Sequence, residues 1–340
     1  MHAAVFRALG RPLEIAEVPD PKPGPSDLVL RVKACGICGS DLHAASLPPG
    51  LPAGSVMGHE FAGEVVELGR DAAVQFRVGE RVCALPFFGC GRCRACLAGD
   101  GIHCPQIVTT GLGASPGAYA EFVRVGAGET LRLPESVSFR EGALVEPLSV
   151  GLHAVHEARL EPGANVLVIG AGPIGLAVAL WARFFGARTV MVSEKAPGRR
   201  ALAERFGASH VIDGSREHVA SAFATAAGTS PEVIFECVGV PGMLQQCILL
   251  APSRGRIIGV GVCMQPDTIL PLFAVVKEIT LRFVVGYRKQ DFQLTLDMLA
   301  ANRIAGTAML TDTVDLAGLP EAFEALKQPS TQCKLMLEPG

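Results

Sequence analysis

The sequence predicts an α/β protein in two parts, a compact β-barrel followed by a doubly wound parallel sheet. Three observations lead there. Up to about residue 145, short β-rich runs alternate with Gly and Pro. After Glu161-Pro162-Gly163 the pattern changes to strands alternating with helical segments. At that change, Gly170-Ala171-Gly172-Pro173-Ile174-Gly175 follows an apolar strand and opens an apolar helical run.

In the first part the expected strands are Leu28 to Ala34, Phe61 to Leu68, Arg81 to Leu85 and Ala118 to Val125. Short strands at this spacing suit a partly closed antiparallel barrel better than a wound sheet. In the second part strands are expected at Val166 to Ile169, Thr189 to Ser193, His210 to Ile212, Glu232 to Cys237, Arg256 to Val260 and Ile279 to Val285. Helices lie between most of them, the first at Ile174 to Phe185, and six strands so arranged form a doubly wound parallel sheet. Beyond Gly286, the helix-like run Phe292 to Ala300 and the final run Cys333 to Leu337 are expected to pack back on the first part. The expected domains are therefore 1–147, 148–285 and a return segment, 286–340, completing the first.

A content of 49% hydrophobic and 19% charged residues belongs to a well-buried globular chain. The net charge of -3, with no basic or acidic block, gives no footprint for nucleic acid or an anionic membrane, so small molecules are the expected partners. The uncharged run Val166 to Ala182 is broken by Gly170, Gly172, Pro173 and Gly175, as a buried strand-turn-helix would be and a membrane span would not. The first residues lack the long apolar core of a signal peptide. With eleven cysteines and no such signal, a reducing, cytoplasmic setting is expected, where clustered cysteines read as metal ligands.

The run Cys38-Gly39-Ser40-Asp41-Leu42-His43, followed by Gly58-His59-Glu60, supplies most of a catalytic zinc site. Thiolate, imidazole and carboxylate suit borderline-soft Zn²⁺, and catalytic sites use three protein ligands and one open position. Glu146, in Val145-Glu146-Pro147-Leu148, is a further candidate, and Asp41 is available to hold the far nitrogen of a ligating imidazole. Any one of these residues alone would more often be an ordinary buried Cys or a solvated polar group.

Cys90, Cys93, Cys96 and Cys104 form C-x2-C-x2-C-x7-C in a loop rich in Gly and Arg. Four thiolates at this density fit a closed structural zinc site. An iron–sulfur cluster is the competitor, since Pro105 follows Cys104, but ferredoxins space the last cysteine by three residues and supply a second group.

Glycines at 170, 172 and 175 would let a pyrophosphate reach backbone N–H groups at the positive end of a helix that includes Pro173 and Ile174. Glu194, at the end of the next strand, stands at the interval expected of an acid that binds the ribose hydroxyls of NAD and repels the phosphate of NADP. Arg199 and Arg200 nearby pull the other way.

With both clusters and the glycine motif in this order, the whole chain resembles the zinc-dependent medium-chain dehydrogenase/reductases. It looks most like the polyol branch that includes sorbitol and butanediol dehydrogenases. The resemblance implies a GroES-like barrel domain with a structural zinc lobe at about 88–106, and a Rossmann domain binding NAD in preference to NADP. It implies Cys38, His59 and Glu146 as catalytic zinc ligands, with Glu60 binding or exchanging at the metal in some states, and Cys90, Cys93, Cys96 and Cys104 on the structural zinc. Ser40 and His43 fall on the proton-relay positions. Val260 to Val262 and Val285 to Tyr287 fall where the family contacts the nicotinamide half. Glu146, where other alcohol dehydrogenases carry cysteine, is what favours the polyol branch.

The implied activity is hydride transfer between a secondary alcohol or diol and NAD, with a ketone as product. The alternatives are an NADPH-dependent carbonyl or enone reductase, a sorbitol-type polyol dehydrogenase, and a catalytically silent binding protein on the same fold. Ala44 follows His43 where polyol enzymes carry tyrosine, and Gly286-Tyr287-Arg288 replaces their Arg-Tyr pair. With Leu47, Phe87 and Phe88 as apolar neighbours, an apolar secondary alcohol or vicinal diol is expected over a long polyol. The resemblance also implies a homodimer or homotetramer, with the apolar run Ile279 to Val285 as a pairing edge.

Overall fold

A computed structural model describes residues 1–328 and 331–340. The chain divides into two compact units, Met1–Glu146 with Tyr287–Gly340, and Pro147–Gly286. Among the described residues no helix is long and apolar enough to cross a membrane.

The first unit is built on a sheet in the order Leu310–Val314, Lys334–Leu337, Asp27–Gly36, Glu60–Leu68, Arg81–Ala84, Thr130–Arg132, with Phe122–Gly126 also paired to Asp27–Gly36. All pairings are antiparallel except that of Leu310–Val314 with Lys334–Leu337. Asp27–Gly36 carries two register shifts against Glu60–Leu68, and such bulges bend and twist a ladder. Inward-facing Leu28, Leu30, Val32 and Val65 join Phe61, Tyr119 and Phe323 in one apolar core. The expected strand Ala118 to Val125 is shorter, Phe122–Gly126. Ahead of it Ala118 and Tyr119 donate instead to the carbonyls of Gly58 and Met57, which fastens this segment to the turn carrying His59.

The second unit is a six-stranded parallel sheet ordered His210–Asp213, Thr189–Glu194, Asn165–Ile169, Val233–Glu236, Arg256–Gly259, Thr280–Phe283. The order reverses at Asn165–Ile169, the switch point at which doubly wound sheets bind ligands. That strand is buried at every position, as expected where helices cover both faces. The helix Pro173–Phe184 packs closely, because a Cβ on Gly151 would lie 2.6 Å from the Ala177 methyl, and Trp181 donates its indole N–H to the Leu148 carbonyl.

The helix Phe139–Glu157 runs through Pro147, where the missing N–H argues against a helix in the sequence pattern. It begins in the first unit and ends in the second.

Candidate functional site

The helix Gly39–Ser46 starts immediately after the strand Asp27–Gly36, with Cys38 at its N-cap position. Asp41 lies in the first turn, fully buried, and its Oδ2 accepts from the Cys38 N–H at 3.1 Å. The turn at Gly58, with φ of +97°, delivers His59 and Glu60 to the start of the next strand. Donor atoms of Cys38, His59 and Glu60 lie within 4.8 Å of one another, and His59 and Glu60 are buried. Asp41 Oδ1 lies 3.2 Å from His59 Nδ1, which leaves Nε2 facing the cluster. Ser40 Oγ joins it, 3.2 Å from Cys38 Sγ and 3.3 Å from His59 Nε2.

Glu60 has no exposed surface, and Gly36 makes room for it, since a Cβ there would lie 2.0 Å from Glu60 Oε2. Both Glu60 oxygens accept from Lys334 Nζ, at 2.6 and 2.7 Å, and the same ammonium donates to the Ile37 carbonyl at 3.0 Å. Burial by itself would lower the Lys334 pKa. The charge of Glu60 and its hydrogen bonds more than reverse this, so the side chain is held as a cation.

Glu146 is buried in the same unit but is not one of the three residues whose donors converge. Burial pushes its carboxyl up to about 7, with the charges of His59 and Lys334 opposing and that of Glu60 adding. The Tyr287 hydroxyl faces Glu146 without reaching ordinary hydrogen-bond geometry. Glu60, Glu146 and the Cys38 thiol thus gather around one lysine, with Asp41 behind His59. A divalent cation of borderline softness fits this mixed, electron-rich set.

Around Cys90, Cys93, Cys96 and Cys104 the construction differs. All four sulfurs lie within 4.8 Å of one another. Backbone N–H groups point at them: Cys90 and Gln106 donate to Cys104 Sγ at 3.3 and 3.4 Å, and Cys96 donates to Cys93 Sγ at 3.4 Å. The N–H groups of Arg92 and Cys93 bring the Cys90 thiol down to about 6, whereas burial and the neighbouring Cys93 thiol push Cys96 up to about 12. Such a set becomes fully ionised when a metal takes the protons' place.

In the second unit Gly170 has φ of +99°, and a Cβ on Gly175 would lie 2.0 Å from the Gly170 carbonyl oxygen, so the turn requires both glycines. At Gly172 a Cβ would meet no protein atom within 4 Å. Packing therefore does not explain this glycine, but a pyrophosphate approaching the N-terminus of Pro173–Phe184 would, with Pro173 and Ile174 opening the helix. Glu194 ends the adjacent strand, its carboxylate accepting from the N–H groups of Ala171, Lys195 and Ala196 at 2.7–2.8 Å. Arg200 is tied to the carbonyls of Glu194 and Lys195 and to Asp213, while Arg199 sits beside it on the helix Pro197–Ala203.

Several expected residues lie elsewhere or do other work. Tyr287, expected at the nicotinamide, is 1% exposed and stacks on Phe292 at 5.6 Å, so its ring has no free face for a cofactor. Phe87, expected as substrate lining, packs against Tyr287 in the core. Val260 is buried at the end of its strand, whereas Val262 and Val285 are exposed. His43 stands on the last turn of its helix with Nδ1 buried. Lys334 and Tyr119 were not anticipated. A lysine inside the otherwise apolar run Cys333 to Leu337 is the one signal that could have pointed to the former.

Residues 24–135 match the family model described as the alcohol dehydrogenase GroES-like domain, and residues 173–301 the one described as zinc-binding dehydrogenase. The chain is 34% identical to the scyllo-inosose 3-dehydrogenase of Thermotoga maritima, covering 96% of this chain and 89% of that one. It is 33% identical to the (R,R)-butanediol dehydrogenase of Bacillus subtilis over 96% and 97%. Among solved structures, one titled a zinc-binding dehydrogenase from Sinorhizobium meliloti 1021, bound to NADP, superposes with a TM-score of 0.88 at 29% identity, covering 99% of both chains.

Proposed function

Because the chain belongs to the zinc-dependent medium-chain dehydrogenase/reductases, in the branch resembling sorbitol and butanediol dehydrogenases, and is a zinc-dependent alcohol or diol oxidoreductase, we propose that it interconverts a secondary alcohol or vicinal diol and the ketone with NAD. The observation that carries the site assignment is the convergence of the Cys38 and His59 donors beside the Ser40 hydroxyl, with the buried carboxylates of Glu60 and Glu146 nearby. When bound, zinc supplies Lewis-acid polarisation of the alcohol oxygen and the nicotinamide accepts the hydride.

The chain's own residues do the rest. Cys38 and His59 hold the metal, and Asp41 fixes the His59 ring by its far nitrogen. Lys334 occupies both oxygens of Glu60, so Glu146 is the carboxylate that would complete the set, with Glu60 a further candidate ligand. Ser40 takes the hydroxyl proton and His43 passes it toward solvent. Cys90, Cys93, Cys96 and Cys104 hold the second zinc.

The preference for NAD rests on Glu194, which would accept from ribose hydroxyls and repel a 2′-phosphate. Its contact with the Ala171 N–H means that truncation to alanine would also disturb the glycine turn, so Glu194→Gln is the cleaner change. Kinetics with both cofactors test it: the wild type should favour NAD and the variant should gain on NADP. A wild type favouring NADP would remove Glu194 from that role. With alcohols, kcat/KM for 2,3-butanediol should exceed that for sorbitol.

The proposal extends to self-association. Thr280–Phe283 is an edge strand, and Leu272, Val275, Val276, Phe283 and Val285 are each more than half exposed around it. Pairing with a second copy would cover that face. Light scattering should give a dimer or tetramer for the wild type and a smaller species for Phe283→Arg. A cytoplasmic location belongs to the same reading, since thiolate metal ligands persist in a reducing compartment.

A further inference from the structure

We propose that Tyr119 is a positioning residue of the metal site, holding Asp41 so that one carboxylate fixes both Cys38 and His59. This rests on the reading of those two residues as zinc ligands. Asp41 is fully buried, and its two oxygens divide the work. Oδ1 lies 3.2 Å from His59 Nδ1, while Oδ2 accepts from the Cys38 backbone N–H at 3.1 Å and from the Tyr119 hydroxyl at 2.6 Å. The Oδ1–His59 contact is an ion pair outside ordinary hydrogen-bond geometry, while the Tyr119 bond is the shorter of the two hydrogen bonds to Oδ2 and comes from a different part of the chain. Without it, the carboxylate could rotate about its own side chain and trade oxygens between the imidazole and the Cys38 amide.

The ring that delivers this hydroxyl is itself fixed from several sides. Tyr119 has no exposed surface, its N–H donates to the Met57 carbonyl at 2.8 Å, and its carbonyl accepts from Ala4 at 2.8 Å. The ring meets Phe323 edge-on at 6.3 Å. It lies so close to the turn before His59 that a Cβ on Gly58 would be 2.5 Å from Tyr119 Cδ1. Gly58 is therefore doubly required, by its positive φ and by this ring. Burial and the Asp41 charge keep the phenol well above its ordinary pKa, so the hydroxyl remains a donor. A tyrosine whose only polar atom is spent on Asp41, in a pocket that phenylalanine would fill equally well, makes sense as an anchor for the carboxylate. An outer partner of this kind orients the inner ligand and slows metal loss.

The test is zinc transfer from the full-length holoprotein to a chromophoric chelator, with the four-cysteine site as internal reference, together with the visible spectrum of the protein substituted with Co²⁺ at the catalytic site. Tyr119→Phe should speed the catalytic-site phase about 10-fold, the low end for residues that orient metal ligands, and shift the Co²⁺ bands, leaving the reference phase unchanged. Phe323→Leu, which loosens the ring's packing but keeps the hydroxyl, should change the catalytic phase much less. The inference is overturned if Tyr119→Phe leaves both release rate and spectrum at wild-type values, or if Phe323→Leu matches it, because packing alone would then account for the residue. A wild type carrying one zinc per chain, on the four cysteines only, would instead overturn the underlying reading of Cys38 and His59.

Discussion

The lobe at Cys90–Cys104 and the cluster around Cys38 and His59 both bring soft donors within the same 4.8 Å span, but from opposite materials. In the lobe every donor is a cysteine from one short stretch. Its α-helix, Arg94–Leu97, is four residues long and its 3-10 turn, Gly101–His103, three, and Leu97 is 76% exposed, so little apolar burial orders it. In the other cluster the donors sit at the junction of the helix Gly39–Ser46 and the strand Glu60–Leu68, with His59 and Glu60 buried, Cys38 half-buried, and the buried Asp41 and Lys334 behind them. A metal in the first replaces a missing core and is part of folding. A metal in the second enters a scaffold that stands by itself, and its charge is free for chemistry.

His59→Ala should break one side of that contrast only. Activity is expected to fall about 10³-fold or more, because the Lewis acid loses a ligand and its orienting imidazole, while thermal melting falls by the smaller amount that loss of one partner of buried Asp41 brings and the four-cysteine zinc is retained. Steady-state kinetics and calorimetry on the same preparation check both halves.

Lys334→Met sharpens the contrast through charge. It leaves Glu60 buried near Glu146 without its cation, a loss of about 3–5 kcal/mol for a broken buried pair. Zinc beside Glu60 can replace the ammonium, so denaturant unfolding should show a larger loss in zinc-stripped than in zinc-loaded protein. Equal losses would mean that Glu60 and the metal do not compete.

Cys93→Ser tests the lobe. Proteolysis should become roughly 10-fold faster at peptide bonds within 88–106 and stay at wild-type rates elsewhere, as local opening of one unit predicts. Mass mapping of the fragments reads it out. His43→Ala is the smallest change, about 10-fold in alcohol oxidation with unchanged zinc content.

These expectations also separate what the sequence made legible from what it did not. The four-cysteine cluster and the glycine turn could be read because their chemistry is local, within Cys90 to Cys104 and Gly170 to Gly175, whereas Cys38 with His59 and Glu60 could be read from two short motifs separated by about twenty residues. The parallel sheet was legible for the same reason, its central strands Asn165–Ile169, Thr189–Glu194 and Val233–Glu236 announcing themselves as apolar runs. Lys334 reaches Glu60 across 274 residues and Tyr119 reaches Asp41 across 78, and no spacing rule connects such pairs. Tyr287 was placed at the cofactor by its position in the chain, whereas its ring is committed to Phe292 and its hydroxyl faces Glu146. The helix Phe139–Glu157 was hidden by Pro147, whose local preference is overruled by tertiary packing.

The central claim is that the chain carries two zinc ions with different duties, and metal analysis of wild type, Cys38→Ser and Cys93→Ser beside their activity and melting tests it most directly. The wild type should hold two zinc ions per chain. Cys38→Ser should retain the structural zinc and a wild-type melting transition while losing activity, and Cys93→Ser should lose the structural zinc and melt earlier. Iron with sulfide in the wild type, or a Cys38→Ser protein that keeps both zinc ions and full activity, would contradict it.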